Sequence, residues 1–205
     1  MKFFSVRTYR FLRALVLGVF RIIHPRVIIK GKENIPEGAC ILSSNHSAFS
    51  DPIWLIGYAN LPAMPRVMAK QELSKVPVFS WFCKKLGCIF VNRDGNDLAA
   101  IKTAMKTLRE GNKVVVFPEG TRVRDRKASE PRIGAVLLAA RTQSPIVPAY
   151  VTMRKKLFRA IHVIIGEPFY PETSAKPSAE ELDAETKTLM KTIYRLGEGF
   201  ENSNC

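Results

Sequence analysis

The fold is decided by residues 96–122, NDLAAIKTAMKTLREGNKVVVFPEGTR. Leu98, Ile101, Met105 and Leu108 recur at helical spacing, and Gly111 supplies the stop. The apolar run KVVVF then reads as a buried strand, which breaks off at Pro118, Glu119, Gly120, Thr121 and Arg122. A helix returning straight into an apolar strand is the repeating unit of an α/β sheet. The same alternation runs along the chain, with strand-like segments at residues 26–30, 39–44, 66–69, 88–91, 113–117, 145–151 and 161–166. Helical patterns occupy residues 96–111, 133–142 and 178–196, and Pro52 opens a further helix, PIWLIGYA. The expected architecture is therefore a mixed, mostly parallel sheet flanked by helices, in which functional groups lie just past strand ends.

A chain of 205 residues with 46% hydrophobic content supports one domain with a substantial core. Its formal charge is +14 and its isoelectric point is near 9.9, which calls for an anionic partner. The excess sits at the front: residues 1–32 contain eight bases and no acid, whereas residues 172–205 contain seven acids and four bases. Residues 3–23 read as a helix with Phe, Leu, Val and Ile on one side and arginines on the rest, the pattern of an interfacial helix. The longest uninterrupted apolar segment there, Ala14 to Phe20, is far short of the ~20 residues a spanning helix needs. Residues 1–25 are thus expected to form a membrane-interfacial helix, and residues 26–205 the α/β domain. Four cysteines without CxxC pairs or a histidine cluster point away from zinc and disulfides, and fit a reducing cytoplasmic setting. No metal is expected, and no nucleic-acid motif accompanies the positive charge.

His46 follows the strand-like ACILSS directly, and Asp51 comes five residues later, before Pro52. On one regular helix these side chains would point ~140° apart, so they meet only if the backbone turns between them. If they meet, the carboxylate orients the imidazole as a general base. If they do not, Asp51 is an N-cap of the following helix. No GxSxG elbow is present, and no cysteine or serine is marked as a nucleophile. Such a base activates a proton on the substrate, water or hydroxyl, which leaves hydrolysis or direct transfer. Two further strand-like runs end in arginines: GCIFVNR places Arg93, and FPEGTR places Arg122, where a guanidinium fork suits phosphate.

Taken together, NHSAFSD, GCIFVNR, FPEGTR and PIVPAY, ordered across residues 30–165, resemble the four sequence blocks of the 1-acyl-sn-glycerol-3-phosphate acyltransferases, part of the glycerophospholipid acyltransferase superfamily. The resemblance implies that His46 deprotonates the free hydroxyl of lysophosphatidic acid, oriented by Asp51, and that this oxygen attacks an acyl thioester. It implies that Arg93, Glu119, Gly120, Thr121 and Arg122 bind glycerol phosphate and that Pro148 shapes a substrate pocket. Between the third and fourth blocks the family shows an aromatic and a lysine before a glycine. This chain has Pro131, Arg132, Ile133 and Gly134, so Arg132 stands where the lysine would be. The implied enzyme needs no cofactor. Its co-substrate is a thioester of coenzyme A or acyl carrier protein, and it works as a peripheral or monotopic protein on the anionic cytoplasmic face of the cell membrane. A lipid or thioester hydrolase, and transfer to another lysolipid such as lyso-ornithine lipid, are the alternatives.

Overall fold

The computed structural model describes residues 3–201 apart from 4, 60, 62–63, 93–96, 124–129 and 175. Among the described residues the α-helices and strands follow in the order α1 (Val6–Ile23), β1 (Val27–Lys30), β2 (Cys40–Ser44), α2 (Asp51–Ala59), β3 (Arg66–Lys70), α3 (Pro77–Lys85), β4 (Ile89–Val91), α4 (Leu98–Arg109), β5 (Lys113–Val116), α5 (Gly134–Thr142), β6 (Ile146–Val151), β7 (Ile161–Ile165) and α6 (Ala179–Glu201). The strands form one seven-stranded sheet in the order β1-β7-β6-β2-β5-β3-β4. Every pairing is parallel except β6 with β7. The expected mixed, mostly parallel α/β sheet is the one found.

Strand alternation splits the core into two layers. Leu42, Val115 and Val147 face one side with Trp54 and Leu55 of α2. Ile41, Val114, Val116 and Ile146 face the other, against Ala104 and Leu108 of α4, Leu138 of α5, and Leu189 and Ile193 of α6. Both faces being covered explains why these strands read as unbroken apolar runs.

The α4–β5 unit shows local chemistry setting boundaries. The Asp97 carboxylate caps the helix by accepting the Ala100 N–H at 2.9 Å. At the other end, Gly111 takes φ +80°, its N–H reaching the Leu108 carbonyl and that of Asn112 the Thr107 carbonyl. This paired closure needs a left-handed residue, which glycine adopts without strain.

α1 departs from expectation. Its inner side docks on the domain: Tyr9 is buried, Arg13 Nε donates to the Gly57 carbonyl at 2.7 Å, and the Phe20 ring stands edge-on to Trp54 at 5.2 Å. A second apolar stripe, Phe11, Leu15, Val19 and Ile22, points outward and is exposed, Ile22 by 75%. The helix therefore carries apolar residues on two opposite faces rather than one. α3 was not read from the sequence, because its apolar residues Val78 and Trp81 are exposed and lack the periodicity of a buried face.

Candidate active site

β2 ends at Ser44, and the chain must then turn from strand to helix within residues 45–50. Asn45 anchors that turn. Its buried amide imitates a strand residue, Nδ2 donating to the Val151 carbonyl at 2.9 Å and Oδ1 accepting the Val151 N–H at 2.8 Å. This role is not legible in one dimension, where Asn45 is one more residue of a polar run.

Past Asn45 the backbone doubles back, so His46 and Asp51 do meet: Nδ1 of the imidazole lies 3.0 Å from Asp51 Oδ2. The same oxygen accepts the N–H groups of Ser47 at 2.6 Å and Ala48 at 2.7 Å. Asp51 does not cap α2, because the N–H groups of Ile53 and Trp54 go to the Ser50 carbonyl. Its carboxylate reaches backward to organise the turn instead. Burial, complete at 0% exposure, works against its charge, but the bond from His46, the ammonium of Lys155 and the Ala48 N–H outweigh burial and hold the carboxyl below its ordinary range. An ionised Asp51 fixes the proton on Nδ1, which leaves the Nε2 lone pair free to accept a proton. The imidazole is stacked on Phe117, centroids 4.5 Å apart, and is partly exposed.

The loop after β5 closes around the histidine from the other side. Glu119 accepts the His46 main-chain N–H at 2.9 Å on Oε2 and the Tyr194 hydroxyl of α6 on Oε1. Burial pushes its carboxyl above the ordinary range, against the pull of Tyr194 and the His46 N–H. With a bond on each oxygen and the residue buried, Glu119 braces the loop beside His46. Gly120 takes φ +67°, its N–H bonded to the Phe117 carbonyl at 3.0 Å. Its missing Cβ leaves room for Arg132, whose Cγ would stand 3.1 Å away. Arg132 also donates its N–H to the Pro118 carbonyl at 2.6 Å.

Thr121, Arg122 and Arg132 are exposed, and the Arg122 guanidinium lies over the Phe49 ring, 4.9 Å from its centre. Among its described residues this loop thus presents two exposed arginines, Arg122 and Arg132. Arg93 lies outside the described residues. Pro148 is built into β6 opposite Ser43, its ring 3.0 Å from where a Cβ on Gly166 would stand and its carbonyl accepting the Gly166 N–H, so it packs within the sheet. Sequence reasoning also missed Tyr194 and Lys155, since neither lies in a recognisable block.

A family model described as Acyltransferase matches residues 26–152, from the start of β1 past the end of β6. Over 190 residues the chain is 34% identical to the 1-acyl-sn-glycerol-3-phosphate acyltransferase of Bacillus subtilis (strain 168), covering 89% of this chain and 94% of that protein. The chain belongs to the 1-acyl-sn-glycerol-3-phosphate acyltransferase family. Another acyltransferase of that name, from Borreliella burgdorferi, is 34% identical over 126 residues, which is 60% of this chain and 50% of that longer protein. Among solved structures, the 1-acyl-sn-glycerophosphate (LPA) acyltransferase PlsC of Thermotoga maritima superposes with a TM-score of 0.62 at 27% identity, covering 83% of this chain and 72% of that one. All four blocks read in this acyltransferase fall within residues 26–152, and the histidine, the aspartate and the loop after β5 come together at one end of its sheet.

Proposed function

We propose that the protein transfers a fatty acyl chain from an acyl thioester, of coenzyme A or acyl carrier protein, to the free sn-2 hydroxyl of lysophosphatidic acid, yielding phosphatidic acid for phospholipid biosynthesis. The observation that carries this is the partly exposed imidazole of His46, tied at Nδ1 to an ionised Asp51. Nε2 takes the hydroxyl proton as the oxygen attacks the thioester carbonyl. The tetrahedral adduct collapses, the carbon–sulfur bond breaks, and the departing thiolate receives that proton from His46. No enzyme nucleophile is needed, because alignment of two substrates beside a base supplies the catalysis. Arg122 and Arg132, with Arg93, clamp the acceptor phosphate through charge-assisted forks. That clamp favours a phosphate-bearing acceptor over water.

Both substrates carry acyl chains, so the enzyme works at a membrane surface. No helix among the described residues is long and apolar enough to cross one. The outer stripe of α1 supplies an interfacial contact instead, flanked by exposed Arg7, Arg10 and Arg21, which are attracted to anionic lipid. Leu157 and Phe158 extend it: both are exposed, and the Phe158 N–H is bonded to the Ile23 carbonyl at the end of α1. We assign this surface to the cytoplasmic leaflet of the cell membrane. The test is purified protein on vesicles containing lysophosphatidic acid, offered acyl-coenzyme A and acyl carrier protein thioester in turn. Phosphatidic acid forming with at least one donor is the expected outcome, whereas free fatty acid released at a rate indifferent to the acceptor would make the protein a hydrolase.

A further inference from the structure

Asp51, itself buried, divides its two oxygens between two cationic or potentially cationic partners. Oδ2 serves His46, and Oδ1 is ion-paired with the ammonium of Lys155, which follows β6. The Lys155 side chain is only 8% exposed, and its Nζ also donates to the Thr152 carbonyl at 2.6 Å and to Ser47 Oγ at 3.1 Å. Ser47 Oγ in turn donates to the Met153 carbonyl at 3.0 Å. Together with the Asn45–Val151 bonds, these contacts stitch the turn bearing His46 to the end of β6. A buried charge pair is a costly way to hold a loop, and apolar packing commonly does that as well or better. The expense points to a use for the charge itself.

We infer that Lys155 is a positioning residue that sets the charge of the His46–Asp51 pair, keeping His46 a free base and easing return of its proton to the leaving thiolate. The inference rests on the proposed acyl transfer for the thiolate step and on geometry alone for the rest. An imidazole beside a lone buried carboxylate is drawn toward imidazolium, which would block it as a base and hold its proton too tightly. With Lys155 in place the carboxylate is already matched by one cation, and an imidazolium becomes a second. Burial lowers the proton affinity of the ammonium, and Asp51 opposes that, as befits a cation held for its partner. Among the described residues, the other groups around His46 are Glu119 on its main-chain N–H, Tyr194 behind Glu119, Phe117 under the ring, and Arg122 over the neighbouring Phe49. None of these touches Oδ1 of Asp51 in the structure, so removing the lysine charge leaves them in place.

The experiment follows the histidine directly in the full chain labelled with ¹³C-histidine. Three histidines give three signals, and His46→Gln identifies that of His46 by its loss. Lys155→Met is expected to raise the titration midpoint of His46 by about one pH unit, a tenfold gain in proton affinity. The acidic limb of the kcat/KM profile should rise with it, while Lys155→Arg stays near the parent on both readouts. Should Lys155→Met fail to fold, Lys155→Gln makes the same comparison with a polar side chain of similar reach. A folded Met or Gln variant with reduced rate and an unmoved midpoint would make Lys155 a brace and overturn the inference. Because the titration needs no substrate, a shifted midpoint in a protein without acyl transfer would count against the proposed reaction and not against Lys155.

Discussion

At the scale of single residues, the account turns on Asp51 and on what its carboxylate holds. Asp51→Asn keeps the shape but offers an amide in place of an ionised acceptor, so the imidazole loses its fixed tautomer and Lys155 its counter-charge. A fall of about 10²- to 10⁴-fold in kcat is expected, measured on protein shown to be folded. The same residue sets an acid limit on stability. Its folded value lies below the ordinary 3.8, so its stabilisation is fully present above that value and is lost as pH falls through the folded one. Chemical denaturation should therefore show the parent's advantage over Asp51→Asn shrinking below about pH 4. Glu119 has the opposite sign: its raised value means that ionising it weakens the fold as pH climbs above 4.5. Arg122→Ala should raise KM for lysophosphatidic acid several-fold more than KM for the acyl donor, with Lys restoring only part, because a point charge replaces a fork. Equal effects on both substrates would remove Arg122 from the phosphate site. His46 and Asp51 were legible because their spacing after a strand is local. Lys155 was not, because only the fold brings the end of β6 back to the turn after β2.

At the scale of elements, α6 decides whether the loop after β5 is held. It contributes Tyr194 to Glu119, and three residues later Gly197 lets the helix approach the buried Tyr150 ring. Gly→Ala inside a helix ordinarily stabilises by roughly 0.5–1 kcal/mol. At Gly197 a methyl group would overlap the Tyr150 ring, so Gly197→Ala is expected to destabilise by roughly 1–3 kcal/mol. Gly199 has nothing within 4 Å of the place a Cβ would take, so Gly199→Ala should stabilise. Opposite shifts in the urea midpoint check the pair, and shifts of the same sign would contradict this packing of α6 on β6. The strands were readable as apolar runs because both faces of the sheet are covered, and the helices α4, α5 and α6 because one buried side writes a periodic pattern into them. α1 was half readable: apolar residues on two opposed faces look, in one dimension, like one broad apolar side. Exposed Val78 and Trp81 hid α3 altogether.

At the scale of the whole molecule, the sheet gathers at one end of β2 the histidine turn, the loop after β5 and the end of β6, while α1 holds an apolar stripe out to solvent. Replacing Phe11, Leu15 and Ile22 together with Ser should leave the melting temperature nearly unchanged, since these side chains are exposed already. Flotation with anionic vesicles should drop sharply, and what binding remains should be more salt-sensitive because only the arginines sustain it. Undiminished flotation would move the docking surface elsewhere. The central claim is that His46 is the base that removes the acceptor's proton, and the most direct measurement is single-turnover transfer of a radiolabelled acyl chain to lysophosphatidic acid by the parent and by His46→Ala. The account predicts phosphatidic acid from the parent and a loss of about 10²-fold or more in the variant at unchanged vesicle binding and melting temperature. Transfer by a folded His46→Ala protein within about tenfold of the parent would contradict it.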